Sequence, residues 1–252
     1  MEELASTTSG SGPPVVLIHG GMNTGAIAWF AQAELCDRYR VKVYDRAGYG
    51  ASASLSAGED ISLDARLIAE DLGEPAHVVG HSSGAIVAMY VAAQVPTMVE
   101  SLTVIEPPAY RHVDDPRLRE IATATDALMD DRESSDREWL KRFVALLGGD
   151  PQRDAVLDIL EPHISTVRRS ATRAADVDLP IDAIRAAAIP VLVVSGGNHE
   201  AFEVVCNAIA DELDARRAVI PGAGHAAQMT GQPFNETLER FLAAPTRNPP
   251  AT

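Results

Sequence analysis

The sequence predicts an α/β protein with a doubly wound, mostly parallel sheet. Six short apolar runs rich in valine and isoleucine alternate with stretches whose apolar residues recur at helical spacing. Nearly continuous apolar strands indicate burial on both faces, which is typical of parallel sheets. Alternation of strand and helix is the pattern of doubly wound folds. The predicted strands are residues 15–19, 41–45, 76–81, 101–106, 190–196 and 216–222.

Helical patterns fill most of the intervals between these strands. Residues 62–72 begin with Ser62, a favourable N-cap, and carry apolar residues at a period of 3.6. Residues 83–95 form a second predicted helix, which Pro96 ends because proline cannot continue a helix. The last two predicted helices cover residues 200–213 and 232–243.

One long interval, from Pro107 to about Ala188, contains no strand pattern. Its apolar positions recur at helical spacing, and proline and glycine breaks divide it into about four short helices. We therefore predict a helical cap over residues 107–188, inserted into a core domain formed by residues 1–106 and 189–252. The proline-rich tail, residues 243–252, is predicted to be disordered.

Charge and composition exclude several classes of partner. The chain of 252 residues has 36 acidic and 21 basic residues, which gives a formal net charge of −15 at pH 7. Such a surface repels phosphate backbones and anionic lipid, so we expect neither nucleic acid nor a membrane as partner. The acidic, polar N-terminus is unlike a signal peptide. With only two cysteines in the chain, we expect a cytoplasmic location.

A glycine-flanked serine follows the third predicted strand. The segment "VVGHSSGA" at residues 78–85 places Ser82 between Gly80 and Gly84, with a strand before it and a helix after it. The turn must be tight, so a Cβ two residues before or after the serine would clash with neighbouring backbone. The serine then lies at a helix N-terminus, where free N–H groups point toward developing negative charge.

Four motifs in this order resemble those of α/β-hydrolase-fold proteins, from residue 13 to 243. They are "VVLIHGG" for the oxyanion loop, "YDRAGYGAS" at 44–52, the serine turn at 78–85, and "PGAGHAA" at 221–227 for the histidine loop. The resemblance implies a serine hydrolase of the esterase or lactonase kind. In the family, a helical cap commonly follows the strand after the serine turn.

The resemblance implies Ser82 as nucleophile and His225 as general base, in the family's order of serine, acid and histidine. The acid has two candidates. The commonest family position follows the strand after the cap, where His199 replaces the aspartate and Glu200 comes one residue later. The alternative position, at the end of the strand after the serine turn, holds Glu106, which we favour.

The family pattern also implies the oxyanion donors. One is the backbone N–H of Ser83, and the other comes from Gly21, with Met22 as the alternative. Aromatic and methionine side chains near the sheet edge and in the cap are candidates for the substrate pocket. These are Met22, Trp29, Tyr110, Trp139, Phe143, Phe202 and Met229.

The predicted reaction is hydrolysis of a small ester, thioester or lactone through an acyl-enzyme. No nucleotide-binding motif or metal-ligand pattern is present, so we expect no cofactor and no metal. Two alternatives stay open: a biosynthetic cyclase or acyltransferase that reuses the fold, and a non-catalytic binding protein. Residues 1–14 leave room for at most one strand before residue 15, so an open sheet edge is expected. Such an edge is a candidate dimer contact, and the protein is expected to be a monomer or a homodimer.

Overall fold

The computed structural model describes residues 3–53, 58–170 and 173–244. A seven-stranded sheet runs through its centre in the order β1-β3-β2-β4-β5-β6-β7. β1 pairs antiparallel with β3, and every other neighbouring pair is parallel. The strands are β1 (Ser6–Ser9), β2 (Pro14–Ile18), β3 (Arg40–Tyr44), β4 (Ala76–His81), β5 (Val99–Ile105), β6 (Val191–Ser195) and β7 (Arg216–Val219). The predicted doubly wound fold is confirmed.

Ten α-helices accompany the strands in the described part of the chain. They are α1 (Gly25–Ala28), α2 (Ile61–Asp71), α3 (Ser83–Gln94), α4 (Pro116–Asp130), α5 (Asp136–Leu146), α6 (Asp154–Leu160), α7 (Ile164–Arg168), α8 (Ile181–Ala186), α9 (Glu200–Leu213) and α10 (Gln232–Leu242). Short 3₁₀ segments occur at Phe30–Asp37, Pro96–Met98, Glu161–His163, Ala174–Asp176 and Ala227–Thr230.

One helix boundary differs from the prediction. The N-cap of α2 is Asp60, whose carboxylate accepts the N–H of Leu63 at 2.9 Å, so the helix begins before Ser62. The described residues of the interval 107–188 form five α-helices, α4 to α8, close to the predicted number of about four. The domain boundaries stay a prediction, as does the choice between monomer and homodimer. The tail from residue 245 onward, predicted to be disordered, lies outside the described residues.

The core has two main layers, one on each face of the sheet. Because side chains alternate along a strand, Val15 and Leu17 of β2 enter one layer, whereas Val16 and Ile18 enter the other. A third cluster lies mainly in the helical interval and includes Trp139, Leu140, Leu157 and Ile164. Its buried side chains give the predicted cap a core of its own.

The parallel strands bring the predicted site residues to one edge of the sheet. Ser82 directly follows β4 and Glu106 directly follows β5, while His225 lies in the loop after β7. The carboxyl ends of parallel strands meet at the same edge, where open α/β sheets bind their ligands. The helical interval leaves the sheet from this edge, immediately after Glu106.

Candidate active site

The turn at Ser82 has the strained geometry that its glycines predict. Ser82 adopts φ 53° and ψ −127° between β4 and α3. A Cβ at Gly80 would lie 2.2 Å from the carbonyl oxygen of Gly84, and one at Gly84 would lie 2.2 Å from the carbonyl oxygen of His19. Only glycine fits at either position. The turn therefore fixes the serine hydroxyl at the sheet edge.

A continuous hydrogen-bond chain joins Ser82, His225 and Glu106. Ser82 Oγ lies 3.1 Å from His225 Nε2, and His225 Nδ1 lies 2.7 Å from Glu106 Oε2. A carboxylate only accepts, so Nδ1 carries the proton and Nε2 presents a lone pair to the serine hydroxyl. This is the arrangement that a base needs to take a proton from the serine.

Glu106 is held from both sides. Its side chain is fully buried, its backbone φ is 44°, and its Oε1 accepts the N–H of Gly196 at 2.7 Å. Glu200 is instead the exposed first residue of α9. The structure therefore brings Glu106, and not Glu200, to His225.

The two predicted oxyanion residues line one cavity together with Ser82. Ser83 is the first residue of α3, where backbone N–H groups have no partner within the helix. Within the described chain, neither the Gly21 nor the Ser83 N–H donates to a protein acceptor. The N–H of Met22 donates to the hydroxyl of Tyr49 at 3.2 Å. The geometry therefore favours Gly21 over Met22 as the second donor.

The cavity has a volume of about 340 Å³ and a mainly apolar wall. Of the predicted pocket residues, Met22, Tyr110, Phe143 and Met229 line it. Further apolar side chains come from the helical interval: Met129, Val144, Leu146, Leu147, Val156, Leu160 and Val167. The pocket thus lies between the sheet edge and the predicted cap.

Three predicted wall residues lie elsewhere. Trp29 packs in the core layer that contains Leu17. Trp139 is fully buried, donates its indole N–H to the carbonyl of Leu128 at 2.8 Å, and stacks on Phe143. Phe202 stacks on the His225 ring at 4.5 Å between centroids, behind the cavity wall. Size and apolarity alone do not separate a pocket wall from ordinary core.

Comparison with known proteins decides the family. The sequence matches the "Alpha/beta hydrolase family" over residues 15–239. The chain belongs to this family. This hydrolase is 33% identical over 201 residues to the pimeloyl-[acyl-carrier protein] methyl ester esterase of Vibrio campbellii, covering 74% of this chain and 76% of the relative. Against the esterase of the same name from Aeromonas hydrophila it is 30% identical, with 92% and 96% covered.

Solved structures show the same fold. An alpha/beta hydrolase from Sphaerobacter thermophilus has a TM-score of 0.71 and 26% identity, over 95% of this chain and 96% of that one. An N-acyl homoserine lactone degrading enzyme has a TM-score of 0.75 and 24% identity, over 94% and 96%. The predicted enzyme class, a carboxylic ester hydrolase, is confirmed.

Burial shifts the pKa values of His225 and Glu106 in opposite directions, and each shift favours the neutral form of the group. Desolvation raises the pKa of Glu106 to about 7, against the hydrogen bond from Gly196, which lowers it. Desolvation, with a smaller contribution from His199, lowers the pKa of His225 to about 3. In this hydrolase the imidazole is therefore neutral at pH 7, as a proton acceptor must be.

Two further contacts at the site go beyond the roles that the motifs predict. The buried guanidinium of Arg46 donates to Ser83 Oγ at 2.8 Å, and it pairs with Glu59 and Asp64. His81, in the variable place of the serine turn, lies 2.9 Å through its Nε2 from the backbone oxygen of His225. Both contacts depend on partners distant in sequence, which motif spacing does not report.

Metal-ligand clusters and membrane-spanning helices are both absent from the residues that the structure describes. Nowhere in those ranges do three or more histidine, cysteine, aspartate or glutamate residues come together in a way suited to a metal ion. No helix in the same ranges is long and apolar enough to cross a membrane.

Proposed function

We propose that this hydrolase cleaves esters, thioesters or lactones through an acyl-enzyme formed on Ser82. The observation that carries the proposal is the hydrogen-bond chain from Glu106 through His225 to Ser82, beside an apolar cavity. A serine hydroxyl is a weak nucleophile at neutral pH, and this chain supplies the base that activates it.

In the first half-reaction, His225 Nε2 takes the hydroxyl proton as Ser82 Oγ bonds to the carbonyl carbon. The electron pair of the carbonyl moves to its oxygen, which the N–H groups of Gly21 and Ser83 stabilise. The intermediate then collapses and expels the alcohol or thiol, which leaves with the proton from His225. Glu106 stays ionised and holds the Nδ1 proton throughout.

In the second half-reaction, water replaces the alcohol. His225 takes a proton from the water as its oxygen attacks the acyl carbon. Collapse of this intermediate returns the proton to Ser82 Oγ and releases the carboxylic acid. No step needs a cofactor, because the atoms and charges balance with the protein groups and water alone.

The cavity supports a substrate with an apolar acyl chain. Its volume of about 340 Å³ falls at the lower end of small-molecule sites, and its wall is mostly aliphatic. The relatives from Vibrio campbellii and Aeromonas hydrophila are named for a methyl ester of an acyl chain. We propose the same general class for this chain: a small alcohol esterified to a medium-length acyl group.

The test uses p-nitrophenyl octanoate and a fluorophosphonate probe. We expect the unmodified enzyme to hydrolyse the ester and to carry the probe on Ser82, as read by mass spectrometry of the labelled peptide. Ser82→Ala should lose both. Ser62→Ala, at an exposed serine of α2, is the matched control and should retain both.

The same measurement separates the alternatives. Labelling of Ser82 without ester hydrolysis would favour an acyltransferase or cyclase. Absence of label together with absence of hydrolysis would favour a binding protein. Hydrolysis that survives Ser82→Ala would overturn the proposed nucleophile.

For its location we propose the cytoplasm. The inference rests on cysteine usage: Cys36 and Cys206 are free thiols, as expected in a reducing compartment. Fractionation of the producing cells, with detection of the protein by antibody, tests it. Recovery from the culture medium would contradict it.

A further inference from the structure

Glu59 brings a carboxylate to the cavity wall beside Gly21. Its side chain is 11% exposed and it lines the cavity that contains Ser82. A Cβ at Gly21 would lie 3.3 Å from Glu59 Oε1 and 3.7 Å from Oε2. The carboxylate therefore borders the space next to the backbone N–H that we propose as an oxyanion donor.

One oxygen of this carboxylate is occupied and the other is open. Oε1 accepts from Arg46 Nη1 at 2.9 Å and from the hydroxyl of Tyr49 at 2.9 Å. Within the described ranges, Oε2 has no hydrogen-bond donor. Two donors hold Oε1, so the carboxylate has a fixed orientation beside Gly21, with Oε2 3.7 Å from the Gly21 Cβ position.

Arg173 provides the contrast. It is the other aspartate, glutamate, lysine or arginine among the described lining residues. Its guanidinium pairs with two carboxylates, Asp126 at 2.6 Å and Asp130, whereas Glu59 shares the single cation of Arg46 with Asp64. Glu59 Oε2 is thus a charged acceptor on this wall to which no described residue donates.

We propose that Glu59 Oε2 accepts a hydrogen bond from an O–H or N–H group that the substrate carries close to its reacting carbonyl. The inference rests on the proposed function and narrows its substrate class to hydroxy- or amido-substituted esters and lactones. A substrate without such a donor excludes water from Oε2 and leaves this carboxylate oxygen without a hydrogen bond, which disfavours binding of that substrate. An anionic substituent at this place is repelled.

Glu59→Gln tests the proposal because the surrounding contacts fix the orientation of the amide. Arg46 can only donate, so an amide –NH₂ in the place of Oε1 would set two donors against each other, whereas the amide oxygen there keeps the bonds from both Arg46 and Tyr49. The glutamine oxygen therefore takes the place of Oε1. Its –NH₂ group then faces the cavity and converts an acceptor into a donor.

Two pairs of esters report this change. Methyl 2-hydroxyoctanoate and methyl 2-methoxyoctanoate differ on the acyl side, and 2-hydroxyethyl and 2-methoxyethyl octanoate differ on the alcohol side. In at least one pair, we expect the unmodified enzyme to prefer the hydroxyl ester by tenfold or more in kcat/KM, as a hydrogen bond to a charged group implies. Glu59→Gln should abolish or reverse that preference.

Asp64→Asn is the matched control, because it removes a charge from the same Arg46 without touching the cavity. It should keep the preference, whereas Glu59→Ala should bring the ratio close to one. If neither pair shows the preference, or if the preference survives Glu59→Gln, this inference is overturned while the esterase function stands. If none of the four esters is hydrolysed, the proposed function itself fails.

Discussion

His81 and His225 lie next to each other, with ring centroids 4.8 Å apart and His81 Nε2 2.9 Å from the backbone oxygen of His225. A carbonyl oxygen only accepts, so His81 must donate from Nε2. Burial lowers the pKa of His81 to about 3, so the ring stays neutral across the physiological range. His81 thus fixes the backbone of the loop that carries the proposed base.

Loss of this contact should slow catalysis without weakening substrate binding. We expect His81→Leu to lower kcat about tenfold with little change in KM, because His225 loses its fixed position rather than its chemistry. His81→Gln, which retains a side-chain N–H donor, should recover most of the rate. Steady-state kinetics on p-nitrophenyl octanoate give both parameters, and equal kcat values for the three proteins would contradict the positioning role.

The assignment of the acid can be tested by a pair of neutral variants. Glu106→Gln keeps the shape of the side chain but favours the wrong tautomer of His225, so we expect kcat to fall by about 10³–10⁴-fold. Glu200→Gln, at the exposed start of α9, should leave kcat unchanged. A large decrease in kcat for Glu200→Gln, with no decrease for Glu106→Gln, would assign the role of the acid to Glu200.

The activity should fall in acid. The proposed mechanism needs an ionised Glu106 and a neutral His225, and burial raises the pKa of Glu106 to about 7 while it lowers that of His225 to about 3. We therefore expect kcat/KM to decrease as the pH falls through about 7, with an apparent pKa that belongs to the pair. The residual kcat/KM of Glu106→Gln should not show this decrease at acidic pH. A flat profile down to pH 5 in the unmodified enzyme would contradict the assignment.

The raised pKa of Glu106 also affects stability. The pKa of Glu106 is higher in the folded protein, about 7, than its ordinary value of 4.5. Its contribution to the free energy of unfolding is therefore fully present below pH 4.5 and is lost as the pH rises to about 7. Above pH 7 the buried charge is a constant cost. We expect Glu106→Gln to raise the melting temperature by about 2–4 °C at pH 8. At pH 4.5 it should have a smaller effect, measured by differential scanning fluorimetry.

The serine turn should not tolerate a single methyl group. Gly80→Ala would place a Cβ 2.2 Å from the carbonyl oxygen of Gly84, and we expect destabilisation of at least about 2 kcal/mol. Gly73→Ala is the matched control, since nothing lies within 4 Å of its Cβ position. Urea unfolding compares the two. Equal urea midpoints for the two variants would show that the turn can accommodate the additional methyl group.

The fold was predictable because its signals are local. Each of the six predicted strands overlaps an observed one, since buried parallel strands need short apolar runs whatever their neighbours are. β1, at Ser6–Ser9, has no apolar run because all four of its residues are exposed at the sheet edge. The choice between Glu106 and Glu200 stayed open in sequence because both residues follow a strand.

The cavity was less predictable because it depends on contacts distant in sequence. Trp29 and Trp139 have the same apolar character as Phe143, and only packing decides which of them meets the cavity. Glu59 belongs to no motif. Its position follows from Arg46, whose guanidinium pairs with both Glu59 and Asp64.

In the proposed site, the segment after β6 contributes the backbone N–H of Gly196, which donates to Glu106. Because Glu106 comes from β5, this segment does not need to supply the acid. Asn198 in that segment is exposed, yet it lies close to the His225 loop, 3.8 Å from the Cβ position of Gly224. A fluorophore attached through Asn198→Cys would sit beside the reaction centre without replacing any group that takes part. We expect the emission of such a fluorophore to report ligand entry.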